Sequence, residues 1–197
     1  MNVDLPIYRE AYKQFQGAPR EVWSALWLLE RYVNAAISQL DRVREAIDTA
    51  WNYSGTWSLD QLLVDLHFYF ICWDKAQNLL GRLVTVHADF RLEHLWSAFK
   101  PVCKPFNDAR NHLEHIDERL ACNPDQTGHI QGDTFLFAGE KFDVSPSGLK
   151  LLTDMYEEVV NILTIVKSSG ESFTPEEWAA LRNPPLQRVT LAPSKRR

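Results

Sequence analysis

Apolar residues recur at steps of three and four along most of the chain. Between Pro19 and about Trp51, the run Val22, Leu26, Leu29, Val33, Ala36, Ile37, Leu40, Val43 and Ile47 gathers onto one face of an α-helix. The turn-rich Asn52-Tyr53-Ser54-Gly55 ends it. A second helix is predicted from Ser58, with Gln61 at capping-box spacing, to about His87. A shorter helix over 92–100 stops against Pro101. Pro105 then opens the next, predicted to reach Leu120, since proline is tolerated where the first helical N–H has no partner.

Between Cys122 and Ser145 the period shifts toward two. Asp133 to Ala138, Gly139-Glu140 and Lys141 to Val144 read as the arms and turn of a small β-hairpin. Ser145-Pro146 begins a last long helix, with Gly170 as the expected C-cap. Thr174-Pro175-Glu176-Glu177 repeats the capping-box spacing ahead of a short helix. Long helices joined by short loops predict an all-α fold, an antiparallel four- to five-helix bundle with the hairpin near 133–144 inserted into it. The expected organisation is one helical domain over 1–183, with the insertion at 123–145, and a flexible basic tail at 184–197.

Composition narrows the class. The chain has 197 residues and is 45% hydrophobic, enough for a full core and too apolar for a wholly disordered chain. Its net charge of −5 argues against a surface that coats duplex DNA or anionic lipid. Three cysteines (Cys72, Cys103 and Cys122) without a C-x-x-C pair make a poor disulfide framework and fit a reducing compartment. The first residues carry charge where a signal peptide needs an apolar run. The longest apolar run, Phe68 to Trp73, is far short of the roughly 20 residues that span a bilayer. These features predict a soluble, cytoplasmic protein with no membrane partner.

Candidate chemistry concentrates between 87 and 120. Four of the six histidines, His87, His94, His112 and His115, fall there. On a helical wheel Phe106, Ala109, Leu113, Ile116 and Leu120 form the core side. Arg110, Glu114 and Asp117 form a second stripe, and Asn111, His115 and Glu118 a third, nearly opposite the core. One reading is a solvated face with Arg110 paired to Glu114 at i,i+4 and His112 as a hydrogen-bonded structural residue at the edge of the apolar stripe. The other is a face that meets a partner or substrate.

The stretch Arg110-Asn111-His112-Leu113-Glu114-His115 resembles the motif of the HEPN family (higher eukaryotes and prokaryotes nucleotide-binding). That motif is an arginine, a polar residue and a histidine after four to six intervening residues, carried on a late helix of an all-α bundle. Arg110, Asn111 and His115 match it position by position. Arg82 and His87 have similar spacing without the polar residue. The resemblance implies an endoribonuclease that needs no metal or cofactor, acts on single-stranded RNA and builds a composite site across a two-fold homodimer. A third reading, which overlaps with the nuclease, is the toxin or phage-defence half of a pair with a cognate antitoxin.

The residue types suit that chemistry. Cleaving RNA through its own 2′-hydroxyl needs a base for that proton and an acid for the leaving 5′-oxygen. Histidine can play either part near neutral pH. Arginine stays charged and can bond two phosphate oxygens. The expected roles are His115 as acid/base, Arg110 as phosphate clamp and Asn111 as orienting residue, with His112 and Glu114 as secondary candidates. One histidine cannot flank both oxygens, and two-fold pairing would supply a second.

A different class is a non-catalytic module of the same fold that dimerises and binds RNA or a partner protein. A zinc site from His112, His115, Cys103 and Cys122 is a weaker pattern, because its cysteines are single. The Glu-x-x-His of a di-iron bundle does not occur, nor do H-E-x-x-H, G-x-S-x-G or the glycine-rich nucleotide loops. Trp23, Trp73 and Trp96 fall on apolar faces and belong to the core rather than to base-stacking platforms. Between Lys75 and Arg119 seven basic residues face six acidic ones, so the net acidity lies elsewhere. The balance predicts weak, salt-sensitive RNA binding focused on one cleft.

Overall fold

In a computed structural model the described residues are 7–15, 18–52, 57–116, 118, 129–137, 140–165, 174, 176 and 177. They are mainly helical, with a small three-stranded antiparallel sheet. The helices are α1 (Arg20–Asn52), α2 (Trp57–Val86), α3 (Phe90–Glu114) and α4 (Pro146–Thr164). A 3-10 turn at Ala11–Phe15 precedes them, and strands β1 (His129–Gln131), β2 (Thr134–Phe137) and β3 (Glu140–Asp143) lie between α3 and α4.

The apolar stripes of α1 and α2 face each other along most of their length. α3 closes on α2, and α4 touches both α1 and α3. Leu26, Leu29, Val33, Leu66, Phe70, Leu80, Leu92, Leu149 and Val159 are fully buried in the shared core. Trp73 stacks on Phe106 with ring planes 3° apart and centroids at 3.6 Å, which joins α2 to α3. Burying each such side chain contributes roughly 1.5–3 kcal/mol.

Two polar clusters tie the elements together. The buried Glu30 carboxylate on α1 accepts from the Tyr156 hydroxyl of α4 at 2.5 Å and from the backbone N–H of Glu10 at 2.7 Å. It thus ties the segment before α1 to both helices. At the corner between α2 and α3, Asp89 caps α3 and accepts both the backbone and the side chain of Arg91, whose Nη1 also reaches the carbonyl of Ile165 at 3.0 Å. Among the described residues no helix is long and apolar enough to cross a membrane.

The structure corrects several sequence expectations. The helices predicted at 92–100 and 105–120 are one helix, α3, with Pro101 and Pro105 inside it. Both prolines are exposed. The carbonyls they leave without an i+4 donor belong to Ser97 and Pro101, residues that are also exposed, where solvent can take the place of the missing bonds. α3 itself ends at Glu114, with His115 as its C-cap at φ −110° and ψ 29°; Ile116 and Glu118 beyond it are helical again, and the rest of the predicted stretch to Leu120 lies outside the described residues.

The hairpin is the larger part of a three-stranded meander in the order β1-β2-β3. Gln131 pairs with Thr134 across the two-residue turn Gly132-Asp133, and Gly132 takes φ +59°. A glycine with positive φ at the first turn position is what a II′ turn requires. Ile130, Phe135 and Phe142 are cross-strand neighbours that pack onto the helices. Glu140, expected in the turn with Gly139, instead opens β3 and pairs with Phe137, and residues 138 and 139 lie outside the described residues.

α4 starts as expected. Ser145 accepts from the N–H of Gly148 at 2.8 Å, and Pro146 follows it. The helix ends at Thr164, before the expected C-cap Gly170, which lies outside the described residues together with Cys122 and the 184–197 tail.

Candidate nucleic-acid interface

α3 carries all five sequence candidates on its last turns. Core residues Phe106, Ala109 and Leu113 fix its rotation by burying one face, which leaves Arg110, Asn111 and Glu114 at the sides and the front. Arg110 is held on three sides. Its Nη1 lies 2.8 Å from Asp74 Oδ1 on α2, its Nε 3.5 Å from Glu114 Oε2, and its Nη2 donates to Asn111 Oδ1 at 2.6 Å. Asp74 is buried, so this guanidinium supplies the charge that a buried carboxylate needs.

His115 stands apart from that group. Its side chain is 57% exposed, and Nδ1 lies 3.5 Å from Glu118 Oε2. Leaving helical geometry at the C-cap takes His115 out of the straight i,i+4 line from Asn111 assumed on the wheel. Within one chain the ion pairs and hydrogen bonds therefore join Arg110 to Asn111 and Glu114, and His115 to Glu118. They do not join Arg110 to His115.

His112 is half-buried, and its ring lies 5.4 Å from that of Phe142 on β3, tilted by 55°. Beside this contact a cleft of about 620 Å³ opens between α3 and β3. Lys104, Pro105, Asp108, Asn111 and His112 line it from the helix, and Lys141 and Phe142 from the strand. Lys104 pairs with Asp108 at 2.6 Å, one turn apart on an exposed face.

Sequence reasoning missed Lys104, Asp108, Lys141 and Phe142 as neighbours of Asn111. Their meeting is tertiary: the sheet has to fold back on α3 before a lysine on β3 can face one on the helix. Asp74 was missed as the partner of Arg110, although a carboxylate directly after Trp73 in an apolar run signals a buried charge in need of a cation.

The other histidines and the thiols form no common site. His94 is exposed and His87 half-exposed at the α2–α3 corner. Cys72 and Cys103 are buried free thiols. Burial pushes the Cys72 thiol up to about 12, and burial with the nearby Asp74 charge raises that of Cys103. Neither is a thiolate at neutral pH. Among the described residues no group of three or more histidine, cysteine or carboxylate side chains is placed to hold a metal ion.

No family model, curated protein or solved structure matches this chain.

Proposed function

We propose that the chain is a HEPN-like helical domain, a four- to five-helix bundle with a β-sheet insertion, that acts on single-stranded RNA without metal or cofactor. The observation that supports this reading is the exposed imidazole of His115 at the end of α3, one turn beyond the hydrogen-bonded pair Arg110–Asn111. His115 is the acid/base. A two-fold homodimer through the ends of α3 would bring two such imidazoles to one phosphodiester, one for each proton transfer.

The geometry favours a different part for Arg110 from that expected. With Nη1 paired to Asp74 and Nη2 bonded to Asn111, it is a positioning residue that fixes the Asn111 amide rather than a free phosphate clamp. His112 and Glu114 support the site: the first packs on Phe142, and the second helps to hold Arg110. The setting that fits a cofactor-free ribonuclease is the cytoplasm, as a toxin or phage-defence component restrained by a cognate antitoxin.

A second reading draws on the same Arg110 geometry. If its pairing with Asp74 and Asn111 marks the motif as structural, the domain dimerises and binds RNA or a protein without cutting. Incubating single-stranded RNA with the protein in EDTA separates the two. Cleavage that is lost in His115→Ala supports the nuclease. Intact RNA that nevertheless binds the protein supports the module, and cleavage at the parental rate by a folded His115→Ala removes His115 from the mechanism.

A further inference from the structure

The cleft between α3 and β3 does not include His115; it shares Asn111 and His112 with the proposed site and adds groups from the sheet. Its polar lining is mostly donor. Lys104 and Lys141 stand on opposite walls, one on the helix and one on the edge strand. Asn111 has its carbonyl oxygen engaged by Arg110, so its two amide N–H groups are what it offers to the cleft. Asp108 is the opposing carboxylate, and its pair with Lys104 is an exposed i,i+4 contact of the kind that exchanges partners easily. Lys141 is exposed and makes no ion pair with a described residue.

The rest of the lining is ring surface. The His112 and Phe142 rings meet at the wall nearest the core, and Pro105 lies two turns away from His112 on the helix. Cations and an amide donor beside flat rings suit a ligand with both an anionic group and a planar ring. The volume lies within the roughly 300–1,000 Å³ of small-ligand sites. A short, half-lined cleft on a chain of net charge −5 also explains how an acidic protein can hold one phosphate without a basic surface.

We propose that this cleft binds a single nucleotide unit. Lys104 and Lys141 take the phosphate, Asn111 donates to an oxygen of phosphate or base, and the base packs against His112. The β-sheet insertion then serves a purpose: it supplies the second lysine and the aromatic wall. That the unit belongs to single-stranded RNA rests on the function proposed above. The cleft chemistry is the same for a free nucleoside monophosphate.

Two titrations test it, one with a fluorescein-labelled ten-nucleotide single-stranded RNA followed by anisotropy, one with AMP followed by amide chemical shifts. Lys141→Gln is exposed and leaves the core intact. It is expected to weaken RNA binding about tenfold at low salt. It should also reduce the slope of log affinity against log salt by about 0.7, the value of one single-strand phosphate contact. Lys104→Gln should act in the same direction, while Lys150→Gln, exposed on α4 and outside the cleft, leaves RNA affinity within about twofold. AMP should shift the amides of Asn111, His112 and Lys141.

AMP binding there without RNA binding keeps the nucleotide site and overturns the RNA reading. RNA cleavage or binding that Lys104→Gln and Lys141→Gln leave unchanged, with no AMP shifts, keeps the RNA reading and overturns the site. Absence of both kinds of binding in the parental protein overturns both.

Discussion

The Arg110 guanidinium reaches across from α3 to the buried Asp74 carboxylate on α2, Nη1 to Oδ1 at 2.8 Å. Asp74 is 8% exposed, and its other cation, Lys75, stands off at 3.5 Å. An exposed ion pair is worth at most about 1 kcal/mol. Removing one partner of a buried one leaves a charge without solvation and costs more. Arg110→Ala is therefore expected to lower the unfolding free energy by about 1–3 kcal/mol in urea. A double-mutant cycle with Asp74→Ala should show coupling of at least about 0.5 kcal/mol. An unchanged urea midpoint would mean that the pair is ornamental. The result bears on function too, because lost activity in Arg110→Ala counts as chemistry only where the variant is still folded.

Asp89 gives a pH dependence with a definite sign. Burial pushes its carboxyl up, but the Arg91 side chain, the Arg91 backbone N–H and the Arg91 charge together outweigh burial and hold it below the usual carboxylate range. The unfolded chain has the ordinary value, about 3.9. A depressed folded value means that the pair's stabilisation is fully present above about pH 4 and is lost as pH falls through the folded value. Asp89→Asn should thus be less stable than the parental protein at pH 7. The gap should narrow steadily as the pH drops from about 5 to about 2. A gap that stays constant over that range would show that Asp89 does not titrate with folding.

The features that sequence reasoning reached were local. The three-four spacing placed α1 and α2 within a residue or two of Arg20–Asn52 and Trp57–Val86. Ser145-Pro146 caps α4. Thr174 and Glu177 make the reciprocal bonds of a capping box, Thr174 N–H to Glu177 Oε2 at 2.7 Å and Glu177 N–H to Thr174 Oγ1 at 3.3 Å. β1 was missed although Gly132-Asp133 is a two-residue turn signal, because only three residues precede that turn in the strand. The cleft was out of reach for a different reason. Nothing within 104–112 announces that Lys141, some thirty residues on, will face it, since that depends on how Phe135 and Phe142 seat the sheet against α3 and α2.

The two prolines in α3 test that helix directly. A proline in a helix interior costs about 3 kcal/mol relative to alanine. Exposed positions with solvated carbonyls retain much of that cost, because the missing bonds still cannot form. Pro101→Ala and Pro105→Ala are each expected to raise stability by about 1–3 kcal/mol and to increase helical circular dichroism slightly. If the chain were instead broken into two helices at these prolines, replacing them would leave stability unchanged or lower it.

Gly148, in the first turn of α4, faces Asp143 at the end of β3. A Cβ at Gly148 would fall 2.5 Å from Asp143 Oδ2, while the other oxygen, Oδ1, accepts from the N–H of Ser145 at 2.8 Å. Alanine normally gains up to about 1 kcal/mol over glycine within a helix. Here the methyl group displaces the carboxylate and breaks its bond to Ser145, a loss of about 1 kcal/mol on top of the crowding. Gly148→Ala is expected to be destabilising by about 1 kcal/mol despite alanine's better propensity. In an Asp143→Ala background the obstacle is gone, and the same substitution should become stabilising by up to about 1 kcal/mol. That reversal of sign, read from urea midpoints of the four proteins, is the check. Gly148→Ala with the same effect in both backgrounds would mean that the carboxylate does not limit this position.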